Sequence, residues 1–237
     1  MKKILLLVIV ACGFQMQAQT NSDLLKHYEG YYKQMRLQGD VQGIINAMTH
    51  LNVLSPSEAR QDTLAYIYMS EGKYVQALNT IGVVKMSTDS DIAVEVKAVS
   101  LKAVKRPKLA IEHFNEMFKR EQNPLVAYEL AELNMQTNMQ AEAQKHIDYG
   151  IANSEADMKK AFYETQSPYE VPLKSAFMYL NALATYNKDK KANIDPAVDI
   201  LDSILKEAPN FNLVQLTKTE LLRQKQVMQA QAAQDKK

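Results

Sequence analysis

Residues 64–81 read LAYIYMSEGKYVQALNTI, two apolar clusters parted by a polar break at residues 70–73. Leu64, Ala65 and Tyr68 fall at helical spacing, and so do Ala77 and Ile81 beyond the break. Side chains three and four positions apart share one face of a helix, so each half reads as an amphipathic helix. Tyr66 and Ile67 favour strands, but the apolar residues continue at helical spacing on both sides. Gly72 stands in the break, where a helix stops and the chain turns back. A break this short folds the two helices into an antiparallel hairpin.

The hairpin is one of a series. A small residue recurs at Gly43, Ala77, Ala110 and Ala143, at spacings of 34, 33 and 33 residues. Ala197 opens a further copy. One turn after each stands Ala47, Ile81, Phe114, Ile147 and Leu201. LAYIY at 64–68 returns as LAELN at 130–134 and LATYN at 183–187. Helical segments fall near residues 22–37, 41–54, 57–70, 73–85, 89–104, 107–120, 124–137, 139–153, 173–188, 196–207 and 211–230. Pro56, Pro107, Pro124 and Pro196 precede or open such segments, where a missing N–H costs nothing. Glycine and proline are scarce at seven each and tryptophan is absent, while good helix formers abound.

A period of 33–34 residues made of two helices resembles the tetratricopeptide repeat (TPR). Leu64, Ala65, Tyr68, Gly72, Tyr74, Ala77, Ile81 and Val84 carry the resemblance best, and Pro209 closes the Ala197 copy in the same manner. The likeness extends over about residues 22–210. Individual copies depart from it, with Asn134 where an aromatic is usual and Gly43 where alanine is usual. The resemblance implies an all-α, right-handed solenoid of antiparallel helix pairs. About five repeats are expected, then a C-terminal capping helix to residue 226 and a polar tail over 227–237. Ala143 and Ala197 lie 54 residues apart, about 20 more than one repeat. The excess falls at 154–173, SEADMKKAFYETQSPYEVPL, read as a short helix over 156–165 and a proline-directed turn that patches the core. The competing reading makes this insertion a binding element.

The first nineteen residues, MKKILLLVIVACGFQMQAQ, have a basic start, an apolar run and then small and polar residues. That is the pattern of a secretory signal peptide over residues 1–18, cleaved after Ala18, leaving a single helical domain over 19–226. Localisation is then expected to be periplasmic or secreted. A second reading places a lipid anchor at Cys12, because Ile9-Val10-Ala11-Cys12 resembles a lipoprotein cleavage site. Cys12 is the only cysteine, so packing rather than disulfides must hold the fold. No later apolar run is long enough to span a bilayer. The net charge of +1 argues against nucleic acid as a partner. Loss of Lys2 and Lys3 takes 28 basic residues to 26 against 27 acidic, a charge of −1.

Chemistry is hard to find in the pattern. His27, His50, His113 and His146 are scattered, without metal-site spacing. His113 and His146 stand 33 apart and so occupy equivalent places in adjacent repeats. There is no phosphate loop and no Gly-x-Ser-x-Gly elbow, and surface carboxylates read as solvating charge. The expectation is a protein that is not an enzyme and needs no cofactor or metal. The resemblance places the first helix of each repeat along a concave groove. It points to Tyr28, Tyr32, Met35 and Arg36, then Asp62, Tyr66 and Met69, then Glu95, Val99 and Lys102, then Tyr128, Glu132 and Met135. Asn181 and Thr185 extend the row. Tyr and Met suit a groove for a protein or peptide segment, and the competing reading is that a tightly coiled stack buries them as core. Only Arg36 and Lys102 are basic there, which argues against a clamp for a terminal carboxylate. The leading expectation is an envelope scaffold that binds a partner segment in this groove. The alternatives are an assembly subunit using the convex face or end cap, and a small-molecule binder or enzyme with a pocket under 154–173.

Overall fold

A computed structural model of the chain describes residues 21–234; the expected leader, Cys12 and the last three residues lie outside them. Among the described residues there are eleven helices and one strand pair. The helices before the strands are α1 (Asn21–Gln38), α2 (Val41–Leu54), α3 (Glu58–Ser70), α4 (Tyr74–Ile81), α5 (Asp91–Ala103), α6 (Pro107–Arg120), α7 (Pro124–Gln136) and α8 (Gln140–Asn153). Then come β1 (Lys159–Phe162), β2 (Tyr169–Pro172), α9 (Leu173–Lys188), α10 (Ile194–Glu207) and α11 (Asn212–Gln234).

Local chemistry sets the helix ends. The N–H groups of Gly43, Arg60 and Leu125 donate to the side chains of Asp40, Ser57 and Asn123, which cap α2, α3 and α7. Pro107 and Pro124 open α6 and α7. After α1, α3, α5 and α7 the chain turns through a left-handed residue: Gly39 (φ 69°), Gly72 (φ 70°), Lys105 (φ 58°) and Asn138 (φ 61°). Each lies 33 residues after the last. The following N–H closes the turn onto the helix, Asp40 to Met35 (3.0 Å), Lys73 to Tyr68 (2.8 Å), Arg106 to Leu101 (2.9 Å) and Met139 to Asn134 (2.8 Å).

This turn corrects the register expected for the first repeat. Ile44, Ala77, Ala110 and Ala143 each donate to the carbonyl four residues earlier, at the matching point of the following helix. Ile44, not Gly43, is the counterpart of Ala77, and the first spacing is 33 rather than 34. Gly43 is small for a local reason: a Cβ there would collide with the Met35 thioether and the Asp40 carboxylate.

The chain forms two compact units. The first comprises residues 21–84 and 88–100, that is α1–α4 and α5 as far as Ser100. Ile45, Met48 and Leu64 form one of its apolar clusters, joined by Tyr32, Ile44 and Tyr68; Ala65, Ala77 and Val96 form another. Gly82 (φ 78°) stops α4 at Ile81, short of the helix expected to residue 85. Val84, one of the residues that carry the resemblance, is therefore 71% exposed.

The second unit comprises 85–87 and the described residues from 101 onward. Its core gathers Tyr128, Ile147, Phe177, Leu201, Ile204 and Phe211. A Cβ on Gly150 would meet the Phe177 ring, so this glycine permits the approach of α8 to α9. The 154–173 insertion is not the expected helix: β1 pairs antiparallel with β2, Lys160 opposite Val171 and Phe162 opposite Tyr169. Val171 is buried, and Phe162 and Tyr169 pack on Phe211, so alternate residues face the core as a strand requires. The last helix also continues past residue 226 to Gln234, so 227–234 is helical where a tail was expected.

Candidate functional site

Tyr66, Val99 and Glu132 each follow the buried alanine of a first helix, Ala65, Ala98 and Ala131. The 33-residue frame puts Lys33 at that place in α1, and Tyr32 at the alanine. The side chains expected to line a groove in α1 accordingly turn toward α2. Tyr28 stacks on His50 of α2, with ring centroids 4.2 Å apart and 12° between planes. Tyr32 packs on the Ile45, Met48 and Leu64 cluster, and Met35 lies against Gly43. Only Arg36 of the four is exposed, its guanidinium 5.7 Å from the Tyr32 ring.

In α3, Asp62 accepts a hydrogen bond from the Ser90 hydroxyl at 2.6 Å, and Ser90 accepts from the Ala93 N–H. The carboxylate therefore holds the cap of α5. Met69 packs beside Ala65 and Ala77, while Tyr66 is 43% exposed. Glu95 and Val99 of α5 are half-buried.

The second unit binds its candidates together. Tyr128 is 1% exposed and meets Phe177 edge-on, which makes it core rather than groove lining. Lys160 of β1 covers it, with its ammonium 4.7 Å from the ring centroid. Lys160 also pairs with Glu129 at 2.9 Å. Lys102 pairs with Glu129, and with Glu132 at 2.9 Å. Burial alone would raise the Glu129 carboxyl, but Lys160 and Lys102 outweigh it and hold it below the usual carboxylate range. Burial likewise opposes the Lys102 ammonium, yet Glu129 and Glu132 leave it raised. Burial, with Glu132 and Glu129 nearby, pushes the Tyr128 phenol up, so it stays neutral. Met135 packs against the same core. Asn181 accepts from the Gln144 amide at 3.1 Å, and Thr185 presents its carbonyl to Asn193. Glu129 and Lys160 were absent from the expected set. The signal for Lys160 was its place in the insertion, but its reach to α7 depends on the strand pair.

No family model matches the sequence, and no curated protein matches it. Solved structures do. MamA superposes with a TM-score of 0.58 at 17% identity, covering 79% of this chain and 93% of that one. YrrB, a TPR protein with an unusual peptide-binding site, superposes at 0.63 with 12% identity, covering 81% and 90%. MamA from Desulfovibrio magneticus RS-1, from residue 41 to its end, gives 0.57 at 11% identity, covering 80% and 98%.

The fold is the tetratricopeptide repeat.

In the TPR frame each first helix buries the alanine before Tyr66, Val99 and Glu132 and leaves these three exposed or half-buried. His113 is fully buried in α6, and His146 meets Phe118 edge-on at 5.2 Å, where burial lowers its pKa. Among the described residues no group of three or more His, Cys, Asp or Glu is placed to hold a metal ion. No described helix is long and apolar enough to cross a membrane. A cleft of about 480 Å³ lies along α2, over Ile45 and Tyr68, with Gln42, Asn46, Thr49 and Gln76 around it.

Proposed function

We propose that this TPR chain is a non-enzymatic protein-interaction scaffold of the cell envelope that holds an extended partner segment against α3 and α5. The exposure of Tyr66 carries the reading. A tyrosine offers a large apolar area with one polar tip, and in this fold its position faces away from the partner helix. The superposition with YrrB, which has a peptide-binding site, adds support. The charged quartet of Lys102, Glu129, Glu132 and Lys160 satisfies itself, so a partner gains little by displacing it. The basic, then apolar, leader supports export.

A photo-crosslinking residue at position 66, in cells, is expected to yield one discrete crosslinked product. The same residue at Val53, 77% exposed on α2, is expected to yield none. Tyr66→Ser should abolish co-purification of that partner while helicity is retained. Equal co-purification by the variant sinks the groove reading. A second reading rests on Leu216 and Leu222, 57% and 38% exposed on α11, which suit an end-cap contact in a larger assembly. Crosslinks from position 216 and none from 66 favour it.

A further inference from the structure

A trough of about 330 Å³ lies in the second unit where the end of α9 and the following loop face the C-terminal half of α11. Tyr186, Val227 and Met228 line it with apolar surface, and Lys190, Lys191 and Arg223 stand around it. No carboxylate among the described residues lines it. The nearby ones are engaged elsewhere. Glu220 holds Arg223 through both oxygens, at 2.7 and 2.8 Å. Asp189 accepts the backbone N–H groups of Lys191 and Ala192. Asp195 pairs with Lys225 at 2.5 Å. Lys190 and Lys191 enter no ion pair among the described residues, so two positive charges remain beside an apolar trough.

We infer that this trough is a binding site for a single-chain amphiphile with an anionic head: the chain lies on Tyr186, Val227 and Met228 and the head meets Lys190 and Lys191. Charge complementarity selects an anion. The polar inventory selects an alkyl chain over a peptide. The Gln224 amide oxygen accepts from the Tyr186 hydroxyl and Arg223 is held by Glu220, so few groups remain to satisfy a buried peptide backbone. An alkyl chain asks for none. Val227 is 44% exposed, the signature of an apolar side chain that its own fold leaves partly uncovered.

The test is displacement of a dansyl-labelled fatty acid from the purified full chain, below the critical micelle concentration of every competitor. Octyl, decyl and dodecyl phosphate are expected to compete saturably, each added methylene tightening binding about fourfold until the trough is filled. Decyl maltoside is expected to be at least tenfold weaker than decyl phosphate. Val227→Asp should abolish binding. Lys190→Glu with Lys191→Glu should weaken decyl phosphate at least tenfold and leave decyl maltoside unchanged. All these positions are exposed, and the circular dichroism of each variant checks its fold. Equal competition by the neutral and anionic detergents overturns the proposal. So does unchanged binding in folded Val227→Asp, an absence of saturable binding, or a peptide ending in leucine that competes better than decyl phosphate.

Discussion

Lys97 stands where the flanking repeats have Leu64 and Leu130, and it is as buried as they are, 1% exposed. Its stem takes the leucine's place, and its ammonium reaches Asp89 at 2.6 Å and the Val84 carbonyl at 2.9 Å. A lysine thereby ties the Gly82–Ser90 loop to α5. Removing one partner strands the other's charge in the interior, so Asp89→Ala should cost about 3–5 kcal/mol. Adding Lys97→Leu to it should recover most of that loss, both read from urea midpoints by circular dichroism. The left-handed turns make a second residue-scale case. Gly72 adopts φ 70° without a Cβ, whereas Lys105 holds φ 58° against one. Gly72→Ala should lose about 1–2 kcal/mol, and Lys105→Gly should gain up to about 1 kcal/mol on the same assay.

At the scale of elements, the strand pair is fastened at both ends. The Leu173 N–H donates to Met158 at 2.8 Å, and the Asn210 amide reaches the Glu170 carbonyl. Toward α7 the fastening is Glu129, shared by Lys160 and Lys102. Because this carboxyl is lowered in the folded chain, its contribution is fully present above the unfolded value, about 4.3. The contribution is lost as pH falls through the folded value. Glu129→Gln should therefore lower Tm at pH 7, by about 2 kcal/mol of stability. The gap to the parent should close as the pH is taken below about 4. A gap independent of pH would mean that packing, not the ion pairs, fastens the strands. Between α8 and α9, Gly150→Ala should cost about 1–3 kcal/mol, because a methyl group there has to displace the Phe177 ring.

For the whole molecule, proposed export makes a covalent prediction. Intact-mass and N-terminal analysis of material from the native host should find a chain starting at Gln19. A chain starting at a lipidated Cys12 would instead establish the anchored form. Cleavage would leave a mature chain without cysteine, so its Tm should be the same with and without reductant.

The helix pairs, their period and the turn at Gly72 were legible in the chain, because apolar spacing and turn residues act over a few positions and repeat. Two turns of the same geometry were hidden, since Lys105 and Asn138 carry no glycine to mark them. The register of α1 was misread for a related reason: Gly43 imitates the repeated alanine, yet serves to seat Met35. In the candidate groove set Tyr128 is core, Tyr28 and Tyr32 are half-buried against α2 and its neighbours, and Tyr66 is exposed. Aromatic residues serve a core and a groove equally well, so their side is settled by register and by what packs over them. Local periodicity in the sequence thus determined that this is a TPR-like stack of paired helices. Only the tertiary structure decided that 154–173 forms strands, that Lys160 lands on Glu129 and Tyr128, and that Lys97 is buried. Those outcomes depend on partners 7 to 32 residues away, which helical periodicity does not pair.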